Sequence, residues 1–151
     1  MVEQHWSTEY LGVVELPSGR LLRGRRLRGD PPPGPTPTLA VHLTGRRPPE
    51  PPWKREWVRW RDFWLPSNPD AAIRVLRLAH ERARSARVEI ACGGGVGRTG
   101  TALALMCVFE GMEADAAVDW VRERYHPRAV EVPWQRRFLR TVRTAGPHTT
   151  R

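Results

Sequence analysis

Between an apolar run ending at Ala91 and a longer one beginning at Thr101, the chain reads A-C-G-G-G-V-G-R-T-G, Ala91 to Gly100. Four glycines between a cysteine and an arginine cost chain entropy that only a specific backbone requirement can offset. The flanks say where that requirement lies. Arg87 to Ala91 reads as a short strand, and Thr101 to Phe109 as a helix apolar nearly all round, which belongs in a core. A strand that runs through a glycine loop into a helix N-terminus brings unpaired amides and the positive end of the helix dipole to one point. The ligand expected there is phosphate-like.

The rest of the chain supplies strands first and helices later. Leu11 to Leu16 and Arg20 to Arg26 flank the turn tripeptide Pro17-Ser18-Gly19 and read as a β-hairpin. Two proline-rich connections, Asp30 to Pro37 and Pro48 to Pro52, lead into apolar stretches at Leu39 to Leu43 and Trp57 to Trp60. Asn68-Pro69-Asp70 is a capped helix start, followed by Ala72, Leu76, Ala79 and Ala83 at helical spacing to about Ser85. After a stop at Gly111, Ala114, Ala117, Val118, Val121 and Tyr125 mark an amphipathic helix ended at His126-Pro127. Pro133 opens a last helix with Phe138, Leu139 and Val142 inward. This alternation predicts an α/β fold: a three-layer-like sandwich with a central mixed, partly parallel sheet flanked by helices. At 151 residues, one domain over 1–151 is expected.

A nucleotide-binding loop needs G-x-x-x-x-G-K-[ST], and here Cys92 holds the first glycine's place and Arg98 the lysine's. What remains is C-x-x-x-x-x-R. Amides from Gly93, Gly94, Gly95, Val96 and Gly97 through Arg98 can wrap a tetrahedral phosphoryl group, and the planar Arg98 fork can grip two of its oxygens as a lysine could not. Amides and a guanidinium around a thiol favour the nucleophilic thiolate, so Cys92 is the candidate nucleophile. Cys107 lies within the apolar helix and reads as core.

C-G-G-G-V-G-R-T-G resembles the phosphate-binding signature of the cysteine-based protein tyrosine phosphatases, H-C-x-x-G-x-G-R-T-G, with Ala91 where that family has histidine. Trp60-R-Asp62-F-W-L-Pro66 resembles the family's mobile W-P-D-x-x-x-P loop, with Arg61 replacing its first proline. Glu131-V-P-W-Gln135 resembles its glutamine loop, with Glu131 in place of the first glutamine. The resemblance implies a fold of the phosphatase type and a phosphocysteine intermediate. It assigns Asp62 as the general acid, Thr99 as the hydroxyl that helps the thiolate leave, and Gln135 with Glu131 as the pair orienting the hydrolytic water. Neither a metal nor another cofactor is expected. By size the chain is closest to compact dual-specificity-like members, and a bacterial type is expected. The alanine at position 91 removes a side chain that hydrogen-bonds within the family's loop, so an activity optimum shifted to higher pH is expected.

The implied partner is a phosphorylated protein, phosphotyrosine favoured over phosphoserine and phosphothreonine. A weakly active phosphate-binding pseudophosphatase, an RNA 5′-phosphatase and a phosphoinositide phosphatase stay open. The formal charge of +9 suits an acidic substrate. Its arginines are spread from Arg20 to Arg151 rather than blocked together, which argues against a dedicated nucleic-acid binder. Trp53, Trp57, Trp60 and Trp64 read as packing around the acid loop. No uncharged run is long enough to cross a bilayer, and the first ten residues lack the pattern of a secretory leader, so a cytoplasmic location without membrane contact is expected. Oligomeric state is left open by the sequence.

Overall fold

The computed structural model describes residues 5–142. Residues 1–4, on which part of the leader reading rests, and residues 143–151, at the end of the expected domain, lie outside the described residues. The strands are β1 (Val13–Glu15), β2 (Leu21–Arg26), β3 (Leu39–Thr44), β4 (Lys54–Arg59) and β5 (Val88–Cys92). The helices are α1 (Pro69–Arg82), between β4 and β5, then α2 (Gly97–Phe109), α3 (Ala114–Arg124) and α4 (Pro133–Arg140).

The sheet order is β1-β2-β5-β3-β4. The hairpin pairs β1 with β2 antiparallel, and β2, β5, β3 and β4 run parallel to their neighbours. The mixed, largely parallel α/β sheet expected from the alternation of elements is therefore present. Its center is β5, buried along its whole length and leading straight towards α2, all thirteen residues of which are buried. Two boundaries differ from the sequence reading. The fourth strand begins at Lys54 rather than Trp57, because proline ceases to interrupt the ladder after Pro52, and Trp60 lies beyond it in a bridge to Pro66. The core helix begins at Gly97, four residues before its apolar run, because its first turn is built from the glycine stretch itself.

Alternation along the strands separates two faces. One carries Leu22, Leu39, Val41, Leu43, Val58, Val88, Ile90 and Cys92 into a shared core with Leu76, Leu103, Met106, Val121 and Leu139 of the four helices. The opposite face is polar. Arg23 and Glu89, 1% and 0% exposed, form a buried ion pair through Arg23 Nε to Glu89 Oε2 at 2.9 Å and a second guanidinium contact. Trp6 roofs it: its indole donates to the Val88 carbonyl at 2.9 Å, and the Arg23 guanidinium lies 4.3 Å from its ring center. His42 on β3 accepts from the Arg55 guanidinium at 3.2 Å, and burial, Arg55 and Arg25 lower its pKa from 6.5 to about 4.

Helix ends follow local chemistry. Asn68 caps α1 by accepting from the Ala71 amide at 3.1 Å. Gly111, at φ 104°, takes the chain out of α2. Among the described residues no helix is long and apolar enough to cross a membrane; α2 is apolar because it fills the core.

Two outcomes follow from the polar face. Glu89→Ala leaves the Arg23 guanidinium buried without its carboxylate and lowers unfolding free energy by about 3–5 kcal/mol in urea titration. His42 stays neutral in the folded chain down to about pH 4 while the unfolded chain takes up its proton from 6.5 downwards. The unfolded state thus binds more protons in that window, so stability falls as pH drops from 6.5 towards 4, and His42→Gln flattens that part of the profile.

Candidate active site

The carboxyl end of β5 and the amino end of α2 are joined by Gly93 to Val96 alone. So short a connection leaves the loop no room except tight against β2. Gly95 takes φ 71°, and a Cβ there would lie 2.6 Å from the Arg26 amide nitrogen, so both conformation and space require glycine. The loop is pinned from outside as well: the Tyr125 hydroxyl donates to the Gly95 carbonyl at 2.6 Å. Burial and the nearby charges of Cys92 and Glu89 raise the Tyr125 pKa, which keeps that hydroxyl a donor. Further along, Gly100 lets α2 pack directly on Ala129.

Cys92 sits at the base of this loop, 1% exposed. Its sulfur accepts from the Gly95 amide at 3.2 Å and from the Thr99 hydroxyl at 3.0 Å. Two donors thus converge on one sulfur. The first bond of the α2 ladder runs from the Gly100 amide to the Val96 carbonyl at 2.8 Å, so the amides of Gly97, Arg98 and Thr99 precede the helix's own acceptors. An anion bound here meets both that helix end and the loop amides. Cys107, equally buried, lies instead within the apolar helix. Burial and Glu110 push its thiol up to about 12, and it is an inert core residue.

Arg98 is buried, and one of its terminal nitrogens donates to the Trp60 carbonyl at 2.9 Å. Its Nε is buried and finds no acceptor among the described residues, which leaves it for an oxyanion in the loop. The other terminal nitrogen lies 3.5 Å from the Asp62 carboxylate, itself about half exposed. Cys92, Gly93, Gly94, Gly95, Val96, Gly97, Arg98, Thr99 and Asp62 are therefore gathered as the sequence motifs suggested, although their two segments lie far apart in the chain.

The glutamine-loop residues divide. The Glu131 side chain lies against Gly97, at the mouth of the loop, and is exposed. Gln135 is fully buried and committed at both ends of its amide: its oxygen accepts from the Glu131 amide at 3.1 Å and the Thr101 hydroxyl at 3.4 Å, and its nitrogen donates to the Trp64 carbonyl at 3.3 Å. It ties the acid loop to α2 and α4.

Three contributors escaped sequence reasoning. Tyr125 reads there as one more apolar position of α3, with no mark of its bond to Gly95. Arg28, one arginine of many, places its guanidinium beside Gly93, 3.8 Å from where a Cβ would stand. Trp134 donates to the Phe63 carbonyl at 2.6 Å and packs on Trp64 with ring centers 5.9 Å apart. Of the tryptophans grouped around the acid by their sequence positions, Trp60 and Trp64 are there, whereas the Trp57 indole bonds to Thr44 instead.

A family model described as "PTP-SAK: Swiss Army Knife protein, DSP-PTPase phosphatase domain" matches residues 42–150. Two uncharacterized proteins of Methanocaldococcus jannaschii are each 32% identical over 83 residues, 55% of this chain and 51% and 55% of theirs. The chain thus spans about half the length of these curated relatives. The receptor-type tyrosine-protein phosphatase C of Mus musculus is 30% identical over 66 residues, 42% of this chain and 5% of that one. Among solved structures, "Crystal structure of Tk-PTP in the active form" is similar with TM-score 0.59 and 27% identity, covering 68% of this chain and 75% of that one. The relatives named are archaeal and murine, and give no support to a bacterial type.

The Gly95 geometry is open to a direct check. Gly95→Ala forces a side chain into positive φ and against the Arg26 backbone, and is expected to cost about 1–3 kcal/mol of stability. Orthovanadate, a phosphate mimic, raises the melting temperature of the wild type and fails to raise that of the variant.

Proposed function

The chain belongs to the PTP-SAK family of DSP-PTPase phosphatase domains, and from that membership we propose that it hydrolyses phosphomonoesters through a phosphocysteine at Cys92. The observation that carries this reading is the sulfur itself, held by donors from Gly95 and Thr99 beneath a guanidinium that reaches the Asp62 carboxylate.

In the first step the Cys92 thiolate attacks phosphorus in line, and the bond from phosphorus to the leaving oxygen breaks as Asp62 gives that oxygen its proton. Arg98 and the amides of Gly93 to Arg98 take up the charge on the three equatorial oxygens. In the second step a water attacks the phosphocysteine, Asp62 takes the water's proton, and inorganic phosphate and thiolate separate. The Thr99 hydroxyl, 3.0 Å from the sulfur, stabilises the departing thiolate. Glu131, exposed beside Gly97, is the member of the glutamine loop we assign to the water, while Gln135 holds the loops together.

Phosphotyrosine in a protein is the substrate we favour. Phe63, Trp64 and Trp134, 50%, 57% and 37% exposed, supply an aromatic rim next to Asp62 against which a phenyl ring can pack. Arg28 beside Gly93 supports a preference for acidic residues flanking that tyrosine.

The test is turnover of a phosphotyrosine peptide beside its phosphoserine counterpart, a phosphoinositide and a 5′-phosphorylated RNA. The peptide is expected to lead, with Cys92→Ser at background and Asp62→Asn reduced about 10²-fold. Acid quench of the wild type should retain phosphate on protein, and Cys92→Ser should retain none. Turnover that survives Cys92→Ser would sink the mechanism, and a lead for RNA or phosphoinositide would replace the substrate.

A further inference from the structure

We propose that Trp134, the second residue of α4, is a positioning residue that holds Asp62 over the phosphate loop by gripping the backbone of the acid loop. The proposal rests on the reading of Asp62 as the general acid. Among the described residues the Asp62 carboxylate is paired with the Arg98 guanidinium at 3.5 Å, too long for a strong hydrogen bond. What fixes it is the chain on either side. Residues 60 to 66 form a narrow loop closed by the bridge between Trp60 and Pro66.

Within that loop Phe63 takes φ 65°, a conformation a bulky residue avoids unless its surroundings impose it. The turn's own bond, from the Trp64 amide to the Arg61 carbonyl at 3.0 Å, spans Phe63, and donors from outside the turn are aimed at two successive carbonyls. The Trp134 indole donates to Phe63 at 2.6 Å, and the Trp60 indole, at 2.6 Å, and the Gln135 amide, at 3.3 Å, both donate to Trp64. Trp60 belongs to the loop and Gln135 is buried among other partners, so the partly exposed Trp134 is the grip from α4 whose loss leaves the core alone. Stacking of its ring on Trp64 covers the same turn. Without the bond from Trp134 the turn keeps its internal bond but loses its hold on the Phe63 carbonyl, and Asp62, the preceding residue, is held less firmly over the leaving oxygen.

Proton donation matters most for a basic leaving group and little for an acidic one. The experiment therefore compares phenyl phosphate with p-nitrophenyl phosphate, using the full chain as wild type, Trp134→Phe, Asp62→Asn and the double variant. Phenylalanine keeps a ring on Trp64 and removes only the N–H. Expected in Trp134→Phe is a rise of about fivefold to tenfold in the ratio of kcat/KM for the nitrophenyl over the phenyl ester, as for one lost hydrogen bond. Asp62→Asn raises that ratio further, and the double variant shows no more than Asp62→Asn. A Trp134→Phe enzyme with the wild-type ratio, beside an Asp62→Asn enzyme with a raised one, overturns the proposal while sparing the acid. An unchanged ratio in Asp62→Asn overturns the acid assignment and this role with it.

Discussion

The loop between β5 and α2 has no slack, and most of the site follows from that. Both flanking elements are buried along their full lengths, one in the center of the sheet and the other in the center of the helical layer. Neither can shift to relieve a poor connection, so the connection must adapt. It does so at Gly95, whose positive φ and contact with Arg26 leave no space for a side chain. The same confinement brings the thiol of Cys92 against the amide of Gly95 and the hydroxyl of Thr99. The glycine loop and the buried thiol thus share one backbone constraint, and packing that stabilises the fold also orients the thiol.

What was legible in the sequence was whatever depends on neighbours in the chain. The strand, glycines, arginine and helix start are contiguous, and the hairpin turn, the Asn68 cap and the Gly111 stop are each decided within a few residues. The candidate acid could be found because its loop has a motif of its own. Less legible was the bond from Tyr125 to Gly95 and the grip of Trp134 on Phe63, since each joins segments thirty or more residues apart through one side-chain donor and one anonymous carbonyl. Carbonyls carry no residue identity, so no pattern of residue types reports them.

Charge reinforces the division between the two faces of the sheet. The apolar face needs no ions. On the polar face Arg23 and Arg25 flank Glu89, while burial, with the charges of Arg55 and Arg25, keeps His42 neutral. The backbone of Arg25 and Arg26 is also the wall against which Gly95 packs. Of this strongly basic chain's cations, Arg98 and Arg28 place their guanidinium groups beside Gly93, while Arg23 and Arg25 are matched by Glu89.

Ala91 stands where the resembling family has histidine, and its surroundings say how the loop manages without one. It is paired in register with His42 of β3, so the two side chains share the polar face, opposite to Cys92. The His42 ring is turned to Arg55, not spent on the loop. The restraint instead comes from the other end of the chain. Tyr125 holds the Gly95 carbonyl from outside, and a raised pKa keeps its hydroxyl a donor across the working range of an enzyme. A histidine in that place would change charge near neutrality, whereas a tyrosine does not. With tyrosine in that role, the support of the loop holds no group that changes charge near neutrality.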